Sequence, residues 1–151
     1  MRSVLVFLAL VAGCATGRQT ATEVRNLDFE FATLKARVRS MLQKEFDIVE
    51  EPQEGVFVTE YQITPEGVGT LYQYSRRAVV EIRPQGALYN LYIRVDRYVR
   101  ERGERFERGW RWLARDEKTE EKLRRLFLAE IRDDIRRQRA YQRYIEWLRG
   151  W

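Results

Sequence analysis

Few side chains in this sequence can do covalent chemistry. It contains no His and a single Cys, Cys14, and its only serines are Ser3, Ser40 and Ser75. A nucleophile activated by an imidazole base cannot be assembled from that set. The usual zinc ligands are missing for the same reason, so no metal site is expected. Gly67-Val68-Gly69 lacks the Lys and the spacing of a phosphate loop and reads as a turn. Adjacent carboxylates occur at Glu50-Glu51, Glu120-Glu121 and Asp133-Asp134, and two acids at a suitable separation suffice for glycoside hydrolysis. The later two pairs lie among arginines at helical spacing, with Asp133 opposite Arg137 and Glu121 opposite Arg125, the pattern of surface ion pairs. No catalytic residue is assigned and no cofactor is called for. The chain is expected not to be an enzyme, with a carboxylate hydrolase the one catalytic class left open.

The elements that would carry any site must fit in 151 residues, room for one domain. The net charge is +5, and its bias falls late: Arg97 to Trp151 holds 17 Arg or Lys against 11 Asp or Glu. Such an excess suits anionic partners, but the two signs are interspersed, as on a solvated surface. With one Cys an intramolecular disulfide is impossible.

The amino terminus reads as an export signal. Arg2 precedes the apolar run Val4 to Ala12, and Gly13 follows. That run is too short for a permanent spanning helix, which needs about 20 apolar residues. Its end, Val11-Ala12-Gly13-Cys14, resembles the lipobox of bacterial lipoproteins, a resemblance confined to the first 14 residues. It implies a palmitate-type lipid on the Cys14 thiol, cleavage before Cys14, and a cell-envelope address. Ala15 rather than Asp after the modified Cys further implies the outer membrane, facing the periplasm. Ala15 to Thr22 is small and polar, as a tether should be. The expected organisation is residues 1–13 as signal peptide, 14–27 as lipidated Cys and tether, and 28–151 as one domain. Export also argues against nucleic acid as a partner, although Arg97, Arg100, Arg102, Arg105, Arg108 and Arg111 interleave with Tyr98, Phe106 and Trp110.

Within the domain, Leu34, Val38, Met41 or Leu42, and Phe46 recur at helical spacing and predict a helix over about 31–45. Residues 46–49 look extended, and Pro52 to Gly55 supplies a turn. Val56 to Tyr61 and Arg76 to Arg83 have strand composition and alternation. Arg83-Pro84-Gln85-Gly86 fits a type I turn leading into a strand from Leu88 to about Glu101. There Leu91, Ile93, Val95 and Val99 face one side, and Asn90, Tyr92, Arg94, Asp96, Tyr98 and Arg100 the other. Residues 103–115 read as an irregular connection whose Phe106, Trp110, Trp112 and Leu113 pin it over the sheet. Asp116 or Thr119 then caps a long helix over about 117–149, with Glu117, Glu120 and Glu121 near its positive end and an inner stripe of Leu123, Leu126 or Phe127, Ile131 and Ile135. The fold class is α+β: an antiparallel sheet of three to five strands packed by an N-terminal helix and a long C-terminal helix. This order of elements is similar in topology to helix-grip domains, including those of accessory lipoproteins of the outer-membrane β-barrel assembly machinery.

A helix over 117–149 would be about 49 Å long, more than a small sheet can cover. Its end gathers Ala140, Tyr141, Tyr144, Ile145, Trp147, Leu148 and Trp151 into an arc of about 160°. Either the helix bends back and this arc completes the core, or it overhangs and meets a protein, a second copy, or a membrane. The contact residues expected are Tyr141, Tyr144, Trp147, Leu148 and Trp151. The functional expectation is an accessory envelope module binding a protein through its sheet face or terminal helix. The alternative is a lipid or small-molecule carrier with a cavity lined by Tyr72, Tyr74, Tyr89 and Trp110.

Overall fold

The computed structural model describes residues 21–66, 71–102 and 109–150. Cys14, Gly67 to Gly69, Phe106 and Trp151 therefore lie outside the described residues. The elements run β1 (Thr22–Leu27), α1 (Phe31–Gln43), β2 (Val49–Gln53), β3 (Val56–Thr59), β4 (Gln62–Ile63), β5 (Tyr72–Gln85), β6 (Leu88–Glu101), β7 (Arg111–Arg115) and α2 (Glu117–Arg149). The sheet is antiparallel, in the order β1-β6-β5-β3-β2, with β4 added to β5 and β7 to β6. The α+β class holds. The sheet carries seven strands, where the sequence predicts three to five, because β1, β4 and β7 are short additions to the edges of the β5–β6 hairpin.

That hairpin is the spine. Its register is unbroken from Tyr72↔Glu101 to Gln85↔Leu88. The turn is the two-residue Gly86-Ala87 rather than a type I turn at 83–86. Gly86 has φ +62° and Ala87 does not share the left-handed region, the combination of a type II′ turn whose twist suits a hairpin. Pro84 stays in the strand, opposite Tyr89. Likewise β2 continues through Pro52 to Gln53, tolerated because β2 is an edge strand. The turn contracts to Glu54-Gly55, and at Gly55, φ +75°, an added Cβ would lie 3.1 Å from the Phe31 ring.

Thr22 to Leu27, read as tether from sequence, is instead a strand paired with β6: Thr22↔Ile93, Val24↔Leu91. Val24 and Leu27 are buried there, and apolar burial outweighs the segment's polar look. Arg111 to Arg115 is also a strand, where sequence suggests an irregular connection, and Trp112 and Leu113 on it are exposed.

Alternation along β3, β5 and β6 sends Phe57, Ala78, Val80, Ile82, Leu91, Ile93 and Val95 to one face. There they form a single cluster with Leu34, Val38, Met41 and Leu42 of α1 and Leu123, Phe127 and Ile131 of α2. Both helices thus cover one face of the sheet. Asp116 caps α2 by accepting from the Thr119 backbone N–H at 3.0 Å.

Candidate functional site

The other face of the sheet is uncovered by either helix. On it the register sets Ser75 beside Tyr98, Arg77 beside Asp96, Val79 beside Arg94 and Glu81 beside Tyr92. Aromatic rings cluster at one end. Tyr61 meets Tyr98 edge-on with centroids 4.9 Å apart and stacks on Trp110 at 5.6 Å. Arg77 lies over the Tyr61 ring at 5.1 Å and Arg100 over Trp110 at 4.3 Å. Guanidinium groups sit well on rings because they are planar and weakly hydrated. Trp112, opposite Tyr98 in register and 59% exposed, donates from Nε1 to Asp96 at 3.0 Å. Arg94 donates to the same carboxylate at 2.7 Å, which holds its pKa above the ordinary value. Burial, then the charge of Asp96, raises the pKa of Tyr98, so its phenol stays neutral and keeps its proton to donate. Farther along, Arg83 lies 4.5 Å from the Tyr92 ring centre and pairs with Glu81.

Of the carboxylate pairs singled out in the sequence, Glu120-Glu121 and Asp133-Asp134 are each split between different partners. Glu120 is completely buried. It accepts from Thr22 Oγ1 at 2.8 Å, the Val95 N–H at 3.0 Å and Arg115 Nε at 2.8 Å. One carboxylate thereby ties β1, β6, β7 and α2 together. Its neighbour Glu121 faces Arg125 at 3.0 Å, as its spacing predicts. Asp134 pairs with Arg37 of α1 at 2.6 Å, whereas Asp133 reaches Arg136 at 4.0 Å rather than Arg137. Glu51 binds Lys35 at 2.9 Å, Arg39 at 3.2 Å and the Gly55 N–H at 3.0 Å. The Lys35 contact foremost, then Gly55, holds its pKa below the ordinary carboxylate value. Glu51, Glu120 and Asp134 thus fasten separate elements together.

Helix α2 is continuous from Glu117 to Arg149, so the bend-back alternative for its end is overturned. Its last buried residue is Ile131, with Ile135 only partly buried. Beyond that the helix overhangs. Tyr141 is 66% exposed, Tyr144 54%, Trp147 58% and Leu148 47%. Tyr144 and Trp147 stack with centroids 6.2 Å apart. A groove of about 620 Å³ on another side of this segment is polar, lined by Gln138, Arg139, Gln142, Arg143 and Glu146 below Ile135.

The four aromatics named for a carrier cavity are not brought together. Tyr72 is exposed, Tyr89 stacks on Phe31 and Trp110 belongs to the outer cluster. Between sheet and helices, Phe57, Leu91, Ile93, Leu123 and Phe127 fill the space at 0% exposure. A cleft of about 690 Å³ beside the start of α2 is polar, lined among others by Arg76, Arg97, Thr119 and Lys122. Arg76 spans it, stacking 5.2 Å from the Phe46 ring centre and donating to Gln62 at 3.2 Å.

Of the outer cluster, the sequence reading offers Trp110 for a carrier cavity as well as for the sheet, and gives Tyr61 no role. The alternation of β6 already sent Tyr98 and Arg100 to the polar side; what was missing was the partner strand. Tyr61 sits between two short strands, and no local pattern says that it reaches Tyr98. No protein-family model matches this chain, and no curated protein matches it.

Proposed function

We propose that this chain is a lipid-anchored protein of the bacterial cell envelope, without catalytic activity, that serves as an accessory module binding another envelope protein through the open face of its sheet. The anchor rests on the likeness of Val11-Ala12-Gly13-Cys14 to a lipobox, with the outer membrane indicated by Ala15. The observation that carries the binding role is the ring cluster Tyr61, Tyr98, Trp110 and Trp112 on a face that neither α1 nor α2 covers, edged by Arg77, Arg94 and Arg100. Tyr, Trp and Arg are the residues that dominate binding hot spots, because each offers large contact area with a polar handle. Rings and guanidiniums already stacked on one another lose little side-chain freedom when a partner arrives.

A carrier role gains less support, since the interior is filled and the larger clefts are polar. Two measurements test the proposal. Metabolic labelling with a palmitate analogue should mark the wild type and not Cys14→Ser; equal labelling of both would remove the anchor. A photocrosslinking residue placed at Trp112 should capture a discrete envelope protein in intact cells, and Arg77→Ala should weaken that capture. Capture only of other copies of this chain, or of nothing, would remove the binding role.

A further inference from the structure

The overhanging end of α2 has a composition and a geometry the sheet-face role does not use. From Arg136 to Gly150 it carries Arg136, Arg137, Arg139, Arg143 and Arg149 against Glu146 alone, five positive charges against one negative, a net +4. Among the described residues only Arg136 of these five is ion-paired, to Asp133 at 4.0 Å. The exposed Tyr141, Tyr144, Trp147 and Leu148 lie on one side, and at about 100° per residue Arg136 and Arg143 fall beside the Trp147 edge of that arc and Arg137 falls within it. The arc's midpoint is about 100° round the helix from the stripe Leu123, Phe127 and Ile131 that faces the sheet. Glu130 and Asp134, which bond Ser40 and Arg37 of α1 at 3.0 and 2.6 Å, lie at the angle of Leu148 and Tyr141, so the arc continues the side of α2 that carries α1, with Tyr144 about 15 Å beyond Asp134 along the axis.

We infer that this end of α2 docks on the anionic surface of a lipid bilayer, the rings and Leu148 at the headgroup boundary and the arginines on lipid phosphates. Trp and Tyr suit that boundary because their bodies are apolar and their tips polar, and a basic polar face opposite Trp and Leu is the pattern of helices that lie in the interface. A second copy is a poorer occupant. Two ends of net +4 brought within a Debye length of about 8 Å repel each other. The docking does not require the lipid on Cys14, but the two would act together. Thr22 lies beside Glu120, bonded at 2.8 Å, so the first strand begins near the start of α2. Tyr144 is about 36 Å farther along the axis at 1.5 Å per residue.

The test uses residues 14–151 with Cys14→Ser, which contain every described strand and helix, so that neither leader nor lipid contributes. Sedimentation with vesicles of phosphatidylcholine containing about a third phosphatidylglycerol should carry the protein down, and pure phosphatidylcholine should not. High salt should release it. Joint substitution Tyr144→Ser, Trp147→Ser and Leu148→Ser should weaken binding at least about tenfold while leaving the thermal midpoint in place, and Trp112→Ala should leave binding unchanged. No sedimentation with anionic vesicles, binding unaltered by the triple substitution, or crosslinks from position 144 to protein but not lipid would each overturn the docking. Loss of capture at Trp112 with vesicle binding intact would instead strike the sheet-face reading.

Discussion

The two halves of α2 form one uninterrupted helix with apolar residues at helical spacing throughout, yet they have opposite fates. In the first half Leu123, Phe127 and Ile131 are buried against the sheet, and Glu120 is sealed in an ion-paired network. In the second half Tyr141, Tyr144, Trp147 and Leu148 stand in solvent. Both halves are amphipathic by pattern. What separates them is the extent of the sheet: once the strands end, the stripe has nothing to rest on, and the apolar arc turns away from the body. Amphipathicity states that a helix needs a partner surface, not whether its own chain supplies one.

This contrast can be broken in graded ways. The largest effects belong to the first half. Phe127→Ala should cost about 3–5 kcal/mol, the usual range for emptying a large core site, read as a shifted midpoint in urea unfolding. Glu120→Ala should cost a similar amount, about 3–5 kcal/mol, because it strands Arg115 and the Val95 N–H without their acceptor; a loss under about 1 kcal/mol would mean the network is solvated rather than sealed. A smaller effect comes from the Lys35–Glu51 pair between α1 and β2. The folded protein holds the Glu51 pKa below 4.5, so the pair's contribution is present above that value and is lost as pH falls through the depressed one. Lys35→Met should flatten that acid limb of the stability curve by under about 1 kcal/mol. The smallest effect belongs to the second half. Truncation after Arg139, or Tyr144→Ala, should change stability by less than about 0.5 kcal/mol. A truncated protein that melts well below the full chain would show that the overhang supports the core after all.

Much of the fold was legible because its signals are local. The 117–149 helix was bounded by the Asp116 cap and its periodicity, and the Leu88–Glu101 strand by alternation and a turn. The sheet edges were not. Thr22 to Leu27 and Arg111 to Arg115 become strands by pairing with β6, an interaction with residues distant in sequence that no window registers. The hairpin turn was misplaced because Pro84 and Gly86 together fit a type I turn, whereas the unbroken strand pairing selected the two-residue loop. The outer ring cluster is not legible for the same reason as the edges: its members come from three separated segments.

The sequence by itself determined the chemistry that is impossible here, since without His and with a single Cys no fold can assemble an imidazole-assisted nucleophile or an ordinary zinc site. It also determined which faces of β5, β6 and α2 are apolar, because side-chain direction follows from strand and helix periods alone. Only the tertiary structure decided which apolar faces are covered. Coverage depends on where other elements end in space, and that is fixed by long-range pairing rather than by the residues of the face itself.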